Sequence, residues 1–84
     1  MLPKKGQLSE ENVRLSRARI TIAKTVRLGR ESRGVTQTVF GDLCGLSQRL
    51  VSQIECAQYE LTLDTLLKLA QGLRCSVESL VRGI

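Results

Sequence analysis

Apolar side chains recur at helical spacing along most of this 84-residue chain, and no stretch alternates apolar and polar as a half-buried strand does. Ile22 and Val26, with the small Gly29 a turn on, make a narrow stripe that predicts a helix over 20–32, with arginine and lysine filling much of the rest. Gly34 stops it, as a glycine in the left-handed conformation does just past a helix end. Thr36 reads as the N-cap of a second helix over 37–44, with Val39, Phe40 and Leu43 falling on one side. Gly45 ends that helix after about two turns, and Ser47 caps a third over 48–57, whose inward residues are Val51 and Ile54. Residues 58–61 read as a loop, and Thr62 caps a fourth helix over 63–72 with Leu66, Leu69, Ala70 and Leu73 inward. Ser76 caps a last short helix running from Val77 to around Arg82 and carrying Leu80 and Val81. The pattern predicts an all-α domain of five helices with short connections.

The N-terminal end is less determined. Residues 1–8 read as a disordered arm, while 9–19 are polar, charged and free of helix breakers. A short helix, an extension of the next one and a frayed tail all fit that composition. The chain therefore divides into a basic arm, 1–18, flexible or partly helical, and a helical domain, 19–84.

Charge sharpens the division. Residues 1–33 hold nine basic side chains against three acidic, and 34–84 hold four against five, within an overall net charge of +5. A basic end on a near-neutral body suits a polyanionic partner, and equally a solubilising arm; Arg14, Arg17, Arg19 and Lys24 fit either role. Eighty-four residues make one domain, near the lower limit for folding without a staple. There is no apolar run of membrane-spanning length and no apolar stretch behind the basic start, so the expected setting is the cytoplasm, at the nucleoid. Cys44, Cys56 and Cys75 are odd in number and widely spaced, and the chain has no histidine. That argues against a disulfide framework, a zinc site or any other cofactor, and removes the commonest general base, so no catalysis is expected. Cys44 and Cys75 fall at apolar positions and read as small core residues, whereas Cys56 reads as exposed.

The segment 36–55 carries the functional signal. Two short helices joined by Gly45-Leu46-Ser47 must cross steeply and touch closely. Gly41 is small where the helices cross, and Gly45 supplies the positive φ that turns the chain in three residues. Leu46, Val51 and Ile54 wedge the second helix against the body, leaving Gln48, Arg49, Ser52 and Gln53 on an outer face, all able to hydrogen-bond base edges. Leu50 points outward in this motif, where it can touch a thymine methyl, join a dimer contact or stand as an ordinary surface leucine.

The residues Arg30, Gly34-Val35-Thr36-Gln37, Gly41, Gly45-Leu46-Ser47, Val51-Ser52 and Ile54-Glu55 resemble the Cro/phage-repressor (Xre-type) helix-turn-helix family. The segments 61–70 and 73–80 are similar to that family's fourth and fifth helices, so the likeness covers roughly residues 20–82. It implies a lambda-repressor-like DNA-binding fold with the helix-turn-helix at helices two and three. It further implies that Gln37, Ser47 and Arg27 meet the DNA backbone, that Gln48, Arg49, Ser52 and Gln53 read bases, and that Arg30 and Glu55 form an internal salt bridge. Two departures stand out. Gly41 replaces the commoner alanine, at about 1 kcal/mol of helix propensity, and Cys56 stands where a basic residue or glycine is commoner.

The function implied is a transcription regulator on a partly palindromic double-stranded operator, bound as a homodimer, since one recognition helix reads too few base pairs alone. With no separate dimerisation domain, the surplus apolar residues of the last two helices, Leu61, Leu63, Leu67, Val77, Leu80, Val81 and Ile84, are expected to form the twofold contact. Controller proteins of restriction–modification systems and plasmid or phage regulators share this size. An antitoxin that covers a toxin partner and autoregulates its operon is the alternative.

Overall fold

The structure is a computed structural model that describes residues 10–83, with side chains from residue 13 onward. Five helices follow one another: α1 (Glu10–Ser32), α2 (Gln37–Cys44), α3 (Gln48–Glu55), α4 (Leu63–Leu73) and α5 (Val77–Arg82). The four hydroxyl caps read from the sequence all form. Thr36, Ser47, Thr62 and Ser76 each take an extended backbone conformation, and each side-chain oxygen accepts the N–H three residues on. No helix among the described residues is long and apolar enough to cross a membrane.

α1 begins ten residues before its expected start and runs unbroken through position 18/19, where the sequence division placed a boundary. Residues 10–19 contain neither glycine nor proline and are rich in Glu and Arg, which with Leu15 and Ala18 are good helix formers. Leu15 and Ala18 also continue the stripe of Ile22 at helical spacing, and together these line a shallow groove with Leu61 and Leu66 beyond and Val81 across it. Residues 1–9, the rest of the expected arm, and Ile84 lie outside the described residues.

Phe40, Leu69, Leu80, Val26 and Val51 are wholly buried, and Ile22, Cys44, Ile54 and Ala70 complete one core built from all five helices. Several expectations need correction here. Leu80 was assigned to a dimer surface, but α5 has one turn and a half, so its single inward face carries Leu80 into the core. Val39 and Leu43 are exposed, because α2 turns Phe40, Gly41 and Cys44 inward and its neighbours fall about 100° away. Leu50 is half-buried against the core rather than outward-pointing. Cys75 is half-buried rather than a core residue, and α3 ends at Glu55, two residues early, while Cys56 is exposed as its position suggested.

The far end of α4 shows how the body is tied together. Arg74 adopts the left-handed conformation (φ 56°) that glycine usually supplies, and closes the helix with its N–H on Ala70 and Gln71 carbonyls. Arg33, just past α1, donates to the carbonyls of Gly72 and Leu73, a cation placed on the negative end of α4. Gly72 is also a point of close approach to α2, since an added methyl there would overlap the sulfur of Cys44. Burial pushes the Cys44 thiol up to about 11, so near neutrality it behaves as a small apolar group.

Gly72→Ala should therefore destabilise the fold by about 1–3 kcal/mol, overpacking outweighing the gain in helix propensity. Cys44→Ala in the same chain should restore most of the loss, because it vacates the volume the methyl needs. Urea unfolding of the two single variants and the double variant measures this; additive losses would show that the contact is not the cause.

Candidate nucleic-acid interface

The turn between α2 and α3 is built by three local constraints. Gly45 sits at φ 76°, ψ 33°, open to glycine at no steric cost. Leu46 then donates its N–H to the Gly41 carbonyl at 2.8 Å, and Ser47 caps α3 through the Leu50 N–H at 3.1 Å. A Cβ on Gly41 would stand 2.5 Å from the Leu46 carbonyl oxygen, so the missing side chain sets how closely the turn folds back on α2. This constraint is sharper than the helix-crossing role read from the sequence.

α3 buries Val51 and Ile54, half-buries Leu50, and turns Gln48 and Arg49 to solvent, with half-buried Ser52 and Gln53 beside them. Its far end is fixed by Glu55, whose side chain is only 4% exposed. Arg30 grips that carboxylate with two bonds, Nε at 2.7 Å and Nη2 at 3.0 Å, and donates Nη1 to the Val35 carbonyl at 2.9 Å. Hydrogen bonding to Glu55 raises the Arg30 guanidinium above its already high ordinary value, against the opposing effect of burial. The pair implied by the resemblance is thus present, and it joins α1 to the end of α3.

The line continues toward the outer face. Gln37 Nε2 donates to Glu55 at 3.2 Å, and Gln48 Nε2 donates to Gln37 Oε1 at 2.9 Å. Sequence reasoning gave Gln37 and Gln48 separate roles and missed their contact. The available signal was that each is the first residue of its helix, next to a cap, at the two ends that the tight turn brings together. Arg27 stands apart, on the solvent side of α1, 3.8 Å from Glu31 one turn on.

Electrostatics favour an anion on this side. Neither α2 nor α3 carries an acidic residue in its first turn, so the positive ends of both helix dipoles are uncompensated. α4 and α5 carry Asp64 and Glu78 at the same place. Arg49 adds a full positive charge at the solvent-facing start of α3.

A short helix, a three-residue turn and a second helix with a polar outer edge, framed by three further helices, make a helix-turn-helix domain. Residues 26–80 match the family described as Helix-turn-helix (HTH_3), and the chain belongs to that family. It is 34% identical over 61 residues to an uncharacterized HTH-type transcriptional regulator of Haemophilus influenzae, covering 73% of this chain and 62% of that one. The fold is similar to that of an HTH_3 family transcriptional regulator from Vibrio cholerae, with a TM-score of 0.73 and 30% identity over 80% of this chain and 38% of that one. It is also similar to the P22 c2 repressor protein in complex with a synthetic operator, with a TM-score of 0.69 and 28% identity over 75% and 96% of the two chains. The chain thus spans less than two thirds of the Haemophilus and Vibrio proteins, and nearly all of the P22 chain. The five-helix repressor fold read from the sequence is present.

Arg30→Ala should cost about 3–5 kcal/mol, because it leaves the Glu55 carboxylate buried without its cation. Arg27→Ala, which removes an exposed pair one turn apart, should change stability by less than about 0.5 kcal/mol. Equal effects of the two in urea unfolding would contradict the buried pair as the tie between α1 and α3.

Proposed function

We propose that this chain is a transcription regulator that binds double-stranded DNA sequence-specifically, with α3 lying in the major groove. The observation that carries the reading is the polar outer edge of α3, Gln48 and Arg49 with Ser52 and Gln53, on a helix locked to the body by buried Val51, Ile54 and Glu55. A major groove admits one helix, and these side-chain types pair with base edges: arginine with guanine O6 and N7, glutamine with adenine N6 and N7. In this reading Gln37 and Ser47, at the uncompensated starts of α2 and α3, meet phosphates, and exposed Arg27, apart from them on α1, is a further backbone contact. The similar P22 c2 repressor protein is in complex with a synthetic operator, which supports a DNA partner for this chain.

The functional unit is a twofold dimer, which brings two α3 helices to successive major grooves about 34 Å apart. Leu63, Leu67 and Val81 supply its exposed apolar surface, with half-buried Leu61 and Val77 beside them. The ion pairs Asp64–Lys68 and Glu78–Arg82 are each closed within their own helix, beside this apolar surface in the sequence.

Selection of bound duplexes from a random pool tests both halves. The expected outcome is two inverted half-sites with centres about one helical turn apart, and in Arg49→Ala a loss of about 1–3 kcal/mol confined to one position in each half-site. A single unrepeated site would contradict the dimer, and an Arg49→Ala variant with unchanged preference would contradict the groove assignment.

A further inference from the structure

The hydrogen-bonded line Arg30–Glu55–Gln37–Gln48 has a direction. A carboxylate accepts and cannot donate. Glu55, almost fully buried and gripped by Arg30, therefore takes an N–H from Gln37, which places the Gln37 oxygen on the opposite side of its amide. That oxygen takes an N–H from Gln48 at 2.9 Å. Each amide can in principle stand either way round, and the acceptor-only end of the line orients both.

We infer that Glu55 is a specificity-determining positioning residue, which through Gln37 fixes the atoms that Gln48 presents and so favours adenine over guanine. The inference rests on the reading of α3 as the helix that enters the groove. With one N–H committed to Gln37, Gln48 keeps one N–H and its carbonyl oxygen, a donor beside an acceptor. Adenine presents the complementary pair, an N7 acceptor and an N6 amino donor. Guanine presents two acceptors, N7 and O6, and suits a glutamine whose oxygen is occupied and whose amino group is free. The reversed line would provide that second arrangement. The same direction leaves Gln37 an N–H, rather than an oxygen, to offer a phosphate. Glu55 does all this from the other end of α3, seven residues and roughly 10 Å along the helix axis from Gln48.

The test is selection from a pool randomised in the half-site, run alongside thermal unfolding, with the wild type, Glu55→Gln, Gln37→Met and Arg30→Lys. Gln48→Ala identifies the base pair concerned as the one whose preference it erases. The wild type should prefer adenine there. Glu55→Gln, which can donate as well as accept, and Gln37→Met, which interrupts the line, should each lower the adenine-to-guanine ratio roughly tenfold while leaving the position read by Arg49 unchanged. Arg30→Lys keeps the carboxylate and its counter-charge, so it should melt at lower temperature with the adenine preference intact. Gln37→Met leaves the buried pair untouched and decides the matter should Glu55→Gln fail to fold. A full adenine-to-guanine ratio in Gln37→Met, a wild type that prefers another base at that pair, or a loss in Arg30→Lys equal to that in Glu55→Gln each overturns the inference while the DNA-binding reading stands. A wild type that enriches no duplex at all overturns both.

Discussion

Glu55 closes α3 with a carboxylate almost wholly withdrawn from water, and such a group is tolerable only with a cation and hydrogen bonds around it. Arg30 supplies two bonds, and Gln37 a third. Breaking a buried pair of this kind costs about 3–5 kcal/mol, a large share of the roughly 5–10 kcal/mol that holds a small domain folded. The penalty for separation is what fixes the geometry: α1, α2 and α3 meet at one carboxylate and have little freedom to shift independently. α3 is only eight residues long, too short to be helical alone. Its shape and position come from this anchor at one end, the Ser47 cap at the other, and Val51 and Ile54 between them.

Most of the fold was legible because its punctuation is local. A hydroxyl that accepts the N–H three residues on, or a glycine that turns the chain at positive φ, acts within a few residues and leaves its mark in the sequence. The ends of α2 and α5 and the starts of α3 and α4 were placed correctly for that reason. The start of α1 was not, because residues 9–19 carry no stop signal and an apolar stripe too thin to distinguish helix from tail until Leu15 and Ala18 are seen to line the groove with Val81. Periodicity gives the faces of a helix but not which one turns inward when both sides hold apolar residues. That ambiguity misplaced Val39 and Leu43, and it assigned Leu80 to a surface when the core takes it.

The site was legible in part. The Arg30–Glu55 pair came from resemblance, since 25 residues of separation leave no local trace. The contact between Gln37 and Gln48 depends on how tightly the turn closes, and that in turn depends on the Leu46 carbonyl lying where a Cβ of residue 41 would be. Such a distance is a product of packing and cannot be read from residue types. What the sequence did supply was the chemical character of the outer edge: two amides, a guanidinium and a hydroxyl, on a helix whose other side is aliphatic.

The central claim is that this edge meets the base-pair edges of a duplex in its major groove. Dimethyl sulfate protection on a selected operator measures it most directly, because the reagent methylates guanine N7 in the major groove and adenine N3 in the minor. The account predicts guanine N7 protection in two major-groove segments about one helical turn apart, lost at one guanine in each with Arg49→Ala, and minor-groove adenines left reactive. Protection confined to the minor groove, or guanine protection unaffected by Arg49→Ala, would contradict it.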